Sequence, residues 1–104
     1  MFALIVAAMM AAGGSDASVR SDFTSCLKTA VSKGAAAKVE PGGFAAFARQ
    51  TCAGEVGAFR NWVIAYDMKA GWTRKKAEPD ADQQIADYLD EAVDRFKGEQ
   101  TASK

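Results

Sequence analysis

The stretch FAAFARQTCAGEVGAFRNWVIAYDMKA, residues 44–70, decides the fold of this 104-residue chain. Its apolar residues recur every three or four positions, which predicts a helix that ends before Gly71. Gly54 and Gly57 each weaken a helix interior by about 1 kcal/mol relative to alanine, so they predict a kink in this helix or, alternatively, a split into two. One broad apolar face is expected, formed by Phe44, Ala48, Cys52, Val56, Phe59, Trp62, Val63, Tyr66 and Ala70.

Another helix is predicted before this stretch, from about Ser18 to Lys33. Gly34 suits the position just past its end, where a left-handed backbone conformation is common. The connection at residues 34–43 contains Pro41 and two neighbouring glycines, which argue against continuous helix there. The first two helices are therefore expected to form an antiparallel hairpin.

A third helix is predicted after a basic loop at residues 72–79. Asp80 is its expected N-cap, with Gln83 as the partner in a capping box, and Gly98 is expected to close it.

Together these segments predict one small all-α domain over residues 18–98. No segment alternates as a strand would, and 22 of the 104 residues are alanine, the strongest helix former. Three helices are expected, or four if the second splits at Gly54 and Gly57. Residues 99–104 are expected to form a frayed tail.

The chain opens with an apolar run from Phe2 to Ala12, which predicts an export signal. A run of this length fits the core of a signal peptide and is too short for the ~20 residues that cross a bilayer. Small residues at Ser15 and Ala17 predict a signal peptide over residues 1–17, with cleavage after Gly14 as the alternative. Since no Lys or Arg precedes the run, either the true start lies upstream or the run belongs to a cytosolic protein. We expect a periplasmic or secreted protein without a membrane span in the mature chain.

Cys26 and Cys52 are the two cysteines of the chain, and they predict a structural disulfide. In a helical hairpin they would stand about 10.5 and 12 Å above the connection, at 1.5 Å per residue, so the sulfurs can lie level. Closing a loop of this length stabilises a fold by about 3 kcal/mol. Buried free thiols and a redox-active pair are the alternatives, although the latter usually has only two residues between its cysteines.

Composition excludes several classes of chemistry. The 13 basic and 13 acidic residues balance, so net charge indicates no nucleic-acid interface, and the chain contains no histidine, the commonest general base and metal ligand. Two cysteines alone cannot supply a usual four-ligand zinc site, so no cofactor or metal is expected. Asp80, Asp82 and Glu91 match three ligand positions of a calcium loop, but Ile85 replaces its essential glycine, so this acidic segment is predicted to be a solvated helix face.

Two candidate sites remain. Glu55 would lie on the apolar face of a continuous helix, where burial raises a carboxyl pKa; if Gly54 breaks the helix, it would instead lie in a hydrated first turn. The second candidate is Trp72 beside the cations Arg74, Lys75 and Lys76, a combination that suits a membrane surface, a sugar or an acidic partner. Alternatively, Trp72 caps the core while the cations pair with the following acidic helix.

These features predict a small non-enzymatic binding protein of the cell envelope, whose partner is an unknown protein or envelope component. It would use the Trp72 loop or the apolar flank formed by Phe47, Ile64 and Met68. A structural homo-oligomer and a stress-related, chaperone-like periplasmic protein are the alternatives. A carboxylate-dependent enzyme centred on Glu55 is a further hypothesis from a different class.

Overall fold

The computed structural model describes residues 16–102, with side chains described for residues 18–100, and within them every regular element is helical. The all-α prediction is confirmed for this part of the chain. The predicted signal peptide lies outside it except for its last two residues, which fall in the first turn of the first helix. In chain order the helices are α1 (Asp16–Ala36), α2 (Phe44–Thr51), α3 (Ala53–Lys69) and α4 (Arg74–Ala102), and a 3₁₀ turn at Pro41–Gly43 leads into α2.

All four helices contribute to one hydrophobic core. Two groups of stacked rings occupy it: Phe44 lies 4.3 Å from Phe96 between ring centroids, and Phe23 lies 5.1 Å from Phe59. Such pairs add to the stabilisation that burial of the rings provides. The buried apolar residues are Phe23, Leu27, Ala30, Val31, Phe44, Ala48, Cys52, Phe59, Val63, Ile64, Ala77, Ala81, Ile85, Leu89, Ala92 and Phe96.

The second helical stretch divides at Cys52, so the predicted kink or split at Gly54 and Gly57 is wrong in position. Cys52 departs from helical geometry, with φ −107° and ψ 28°. Hydrogen bonds continue across it, because its N–H donates to Ala48 and its carbonyl accepts from Val56. Gly54 and Gly57 lie inside α3. The break coincides with a buried residue that is covalently linked to α1, which constrains the backbone more than two exposed glycines loosen it.

The interruption changes which face of α3 points inward. Ile64, expected on an exposed flank, is buried, whereas Tyr66, expected in the core, is 59% exposed. Asp67 is buried with 9% exposure. The prediction treated residues 44–70 as one continuous helix, so the apolar face of α2 also set the expected apolar face of α3. The non-helical turn at Cys52 rotates the inward face of α3 away from that expectation.

The end of α1 also differs from the prediction, because Gly34 lies inside the helix. The Val39 N–H donates to the Gly34 carbonyl at 2.9 Å and the Lys38 N–H to the Ala35 carbonyl at 3.1 Å, the pattern of a Schellman cap. Lys38 therefore occupies the left-handed position, with φ 58°. At the end of α3 the prediction is confirmed: Gly71 follows it with φ 105°.

The last helix starts seven residues earlier than predicted, so residues 74–80 are helical and Asp80 is not its N-cap. Thr73 precedes α4, and its hydroxyl oxygen accepts the Lys76 N–H at 3.3 Å, as an N-cap side chain does. Pro79 lies within the helix but is exposed, and it removes a single backbone hydrogen bond near the start. The helix continues through Gly98 to Ala102, so four residues of the predicted frayed tail are helical.

Candidate functional site

The predicted disulfide is present between Cys26 and Cys52. It joins α1 to the junction of α2 and α3, with the two Cα atoms 6.0 Å apart. Cys52 is fully buried and Cys26 is half-buried. Because the disulfide joins the middle of α1 to the junction of α2 and α3, it is a cross-link between helices.

Glu55 lies beside this disulfide, in the first turn of α3 and half-buried. One carboxylate oxygen of Glu55 and the sulfurs of Cys26 and Cys52 all lie within 4.8 Å of one another. The continuous helix that would place Glu55 on a buried face does not form, and Glu55 lies in a first turn as in the alternative, but the break is at Cys52 instead of Gly54 and the side chain is half-buried instead of hydrated. Its proximity to the sulfurs could not be predicted, because it depends on how α1 packs against α3.

The acidic segment of α4 cannot act as a calcium loop. Asp80 and Glu91 are eleven residues apart in one continuous helix, which separates them by about 16 Å along its axis. Two of these carboxylates have other partners, since Asp80 accepts a hydrogen bond from Gln84 and Asp82 forms an ion pair with Arg60.

The second predicted site, Trp72 with Arg74, Lys75 and Lys76, surrounds the turn from α3 into α4. Trp72 does not cap the core, since it is 45% exposed. The Lys76 ammonium lies 5.9 Å from its ring centroid, and Arg74 forms a 3.0 Å ion pair with Glu78 one turn further along α4. The structure therefore places an exposed indole beside these cations, and Arg74, Lys75 and Lys76 lie at a helix start instead of in the predicted loop.

These three cations occupy the first turn of α4, where a helix disfavours them. The N-terminus of a helix carries a partial positive charge, and a cation there costs a few tenths to about 1 kcal/mol. The first turn contains no acidic residue to offset it. The arrangement therefore concentrates basic side chains at the start of α4, where Glu78 pairs with Arg74.

The exposed large apolar side chains of the described chain are concentrated in the same region. They are Tyr66, Met68 and Trp72, at the end of α3 and in the turn that follows. We call residues 66–76, which include these side chains and the cations, the α3–α4 corner. A shallow groove of about 300 Å³ adjoins the corner, lined by Trp62, Ala65, Tyr66 and Lys69.

The wall of this groove is held in place by stacked side chains. The ring centroids of Trp62 and Tyr66 are 5.2 Å apart with their planes 13° from parallel. The Arg20 guanidinium lies 5.8 Å from the Trp62 ring, and its Nη1 donates to the Tyr88 hydroxyl at 2.8 Å. The aromatic side chains of the groove are thus ordered before any ligand binds, which lowers the entropic cost of binding.

Asp67, a buried acidic residue, anchors the turn at the corner through its main-chain carbonyl. The Asp67 carbonyl accepts the Ala70 and Trp72 N–H groups, both at 3.0 Å. The pKa of the Asp67 side chain is raised by a hydrogen bond with Asp80, by burial and by the charge of Asp80. One Asp67 oxygen, Oδ2, is buried without a donor among the described residues. A hydrogen bond between two carboxyl groups requires a proton on one of them, which is why the neighbouring Asp80 raises the pKa of Asp67.

Sequence reasoning missed this carboxyl pair. A usable signal existed, because Asp67 falls on the same helical face as Phe59 and Val63, at intervals of four residues. This signal was hidden because the stretch was interpreted as one continuous helix through Cys52, whose predicted apolar face did not include Asp67.

No helix in the described part of the chain combines the length and apolar character needed to cross a membrane. In comparisons with protein-family models, curated proteins and solved structures, nothing matches this chain.

Proposed function

We propose that this chain is a non-enzymatic binding protein of the cell envelope, and that its α3–α4 corner binds an acidic partner protein. The observation that carries the proposal is the concentration of exposed apolar side chains at Tyr66, Met68 and Trp72. Exposed tryptophan and tyrosine are the residues that most often dominate protein interfaces. Export is part of the proposal and is supported by the disulfide and by the apolar run at the start of the sequence.

Charge supports an acidic partner. Arg74, Lys75 and Lys76 crowd the first turn of α4, at a cost to helix stability that a negatively charged partner would remove on binding. Lys69 extends the cationic border to the groove. A partner with apolar side chains and surrounding carboxylates complements both properties of the corner.

The proposal is tested by capture of envelope proteins on the immobilised chain, with two variants of the corner. Trp72→Ala removes the exposed indole, and Lys75→Glu reverses one charge; each is expected to reduce the captured partner at least tenfold. Lys75→Glu also places an acidic residue in the first turn, which raises the free energy of unfolding by about 0.3–1 kcal/mol. Lost binding by this variant therefore cannot result from unfolding.

Ser32→Ala, an exposed change on α1, is the matched control and is expected to bind as the wild type does. A partner retained equally by all four proteins, or the capture of no acidic protein, would overturn the proposal for this surface.

A second candidate function is self-association, and one observation favours it. Asp87, Asp90, Glu91 and Asp94 are exposed on α4 and could meet the cations of the corner in another copy. Sedimentation at micromolar concentration separates the two candidates. An oligomer that dissociates in high salt and in Lys75→Glu indicates self-association, whereas a monomer in all conditions removes it.

A further inference from the structure

Three side chains with metal-binding atoms converge where α1 meets the junction of α2 and α3. They are Cys26, Cys52 and Glu55, whose two sulfurs and one carboxylate oxygen lie within 4.8 Å of one another. Cys52 and Glu55 are three residues apart across the start of α3, a spacing that brings side chains to the same side of a helix. Cys26 approaches from α1. The three residues are buried or half-buried, so their common centre is partly shielded from water.

The sulfurs exist as thiols before they form the disulfide, because the bond is made by oxidation after synthesis. A dithiol reductant restores that state: the disulfide gains two electrons and two protons, and the reductant becomes a disulfide. The chain therefore has a thiol form that carries the same three side chains.

Distances allow a metal ion to replace the disulfide. Zinc binds thiolate sulfur at about 2.3 Å, so two thiolates on a tetrahedral ion are about 3.8 Å apart. The cysteine Cα atoms are 6.0 Å apart, and other staggered rotamers of the reduced side chains give larger sulfur separations than the disulfide does. One carboxylate oxygen of Glu55 already lies within 4.8 Å of both sulfurs.

We propose that the thiol form of this chain binds one zinc ion through Cys26, Cys52 and Glu55, with water at the fourth position. In the binding step zinc displaces one proton from each thiol and forms two Zn–S bonds, while the carboxylate supplies the third ligand. Two soft thiolates disfavour magnesium and calcium, and the carboxylate oxygen favours zinc over monovalent copper. Disulfide formation consumes both thiolates, so the bound ion and the disulfide exclude each other.

Bound zinc therefore disfavours the oxidation of Cys26 and Cys52 to the disulfide. A ligand that binds one of two states stabilises that state in proportion to its concentration relative to Kd. In the presence of a dithiol reductant, which supplies the two electrons and two protons and becomes a disulfide itself, zinc at concentrations above its Kd therefore shifts the equilibrium of the chain from the disulfide to the thiol form. Glu55, which has no covalent part in the disulfide, acquires a specific role as the third ligand.

The experiment uses the full chain, reduced and kept without oxygen, with Co²⁺ as a spectroscopic probe for zinc. We expect one equivalent of Co²⁺ to produce a thiolate-to-metal charge-transfer absorption, which Zn²⁺ then abolishes by displacement. Glu55→Gln is expected to weaken Co²⁺ binding by at least about tenfold. Glu40→Gln, an exposed change outside the site, is expected to match the wild type, and the oxidised chain is expected to give no charge-transfer band.

Circular dichroism of each sample with and without metal shows whether binding also drives folding, so a poorly folded reduced chain still yields a result. Absence of the charge-transfer band in the reduced wild type overturns the proposal. Equal Co²⁺ affinity in Glu55→Gln and wild type overturns the assignment of Glu55 as the third ligand.

Discussion

At the scale of single residues, Asp67 is the least conventional feature of the core. It brings a carboxyl group into the α3–α4 interface with 9% of its surface exposed. Its main-chain carbonyl holds the turn that carries Trp72, and its side chain faces Asp80 on α4. A protonated carboxyl satisfies this environment, whereas two ionised carboxylates repel each other away from water.

The pH dependence of stability follows from this pair. The pKa of Asp67 is raised above its ordinary value of 3.8, first by the hydrogen bond with Asp80 and then by burial. The folded chain therefore keeps a proton that the unfolded chain loses, and this stabilisation is full below the ordinary pKa and is lost as pH rises through the raised pKa. Asp67→Asn replaces the proton with an amide donor and should abolish this loss. Urea denaturation from acid to neutral pH measures it.

Wild type and Asp67→Asn must be compared at each pH, because Asp82, another carboxylate between α3 and α4, contributes a stabilisation with the opposite pH dependence. A hydrogen bond from Arg60, at 2.7 Å, lowers the pKa of Asp82, so the stabilisation from that pair is lost as pH falls. Subtracting wild type from Asp67→Asn cancels the Asp82 contribution. Parallel curves for the two proteins would show that Asp67 and Asp80 share no proton.

At the scale of the helices, close packing outweighs the tendency of glycine to end a helix, and Gly34 therefore lies inside α1. Gly34 is buried beneath the stacked rings of Phe44 and Phe96, which close the core where α1, α2 and α4 meet. A Cβ atom at Gly34 would lie 3.1 Å from the Phe44 ring and 3.2 Å from the Phe96 ring. Both rings are fully buried, so neither has free space into which to move.

Two glycine-to-alanine changes should therefore have opposite effects. Gly34→Ala gains helix propensity but crowds both rings, and we expect it to lower the free energy of unfolding by up to about 2 kcal/mol. Gly57→Ala, in an exposed part of α3 with nothing within 4 Å of the new Cβ, should raise it by up to about 1 kcal/mol. Chemical denaturation of both variants measures the difference. Stabilisation by Gly34→Ala would mean that the rings yield to the added methyl group.

At the scale of the whole molecule, the four helices of residues 16–102 are held by one core and one covalent link. The disulfide connects α1 to the junction of α2 and α3, while α4 packs against all three other helices without any such link. A domain of this size buries a smaller fraction of its surface than a large one, so a cross-link forms a substantial part of its stability.

The intact mass of the chain recovered from an envelope fraction tests the proposed compartment. We expect a mass that lacks residues 1–17, with no cysteine alkylated before reduction and both alkylated after it. The same chain expressed in a reducing cytosol serves as the control and should be alkylated at both cysteines directly. A full-length mass with free thiols in the envelope fraction would contradict export with cleavage.

The features that the sequence determined by itself are those set by local periodicity and by single special residues. Helical spacing of apolar residues predicted the all-α class, Gly71 marked the end of α3, and the levels of Cys26 and Cys52 in a hairpin predicted their bond. The sequence also places Trp72 beside Arg74, Lys75 and Lys76, but it left open whether the indole is exposed or caps the core, and the structure leaves it 45% exposed.

The remaining features were decided by tertiary structure, because they depend on contacts between residues distant in the chain. Linkage to α1 and burial locate the helix break at Cys52, and the resulting phase of α3 buries Asp67 against Asp80. Packing of Phe44 and Phe96 keeps Gly34 inside α1, where its sequence context suggested an end. The approach of α1 to α3 places Glu55 beside both sulfurs, and no pattern along the chain specifies that approach.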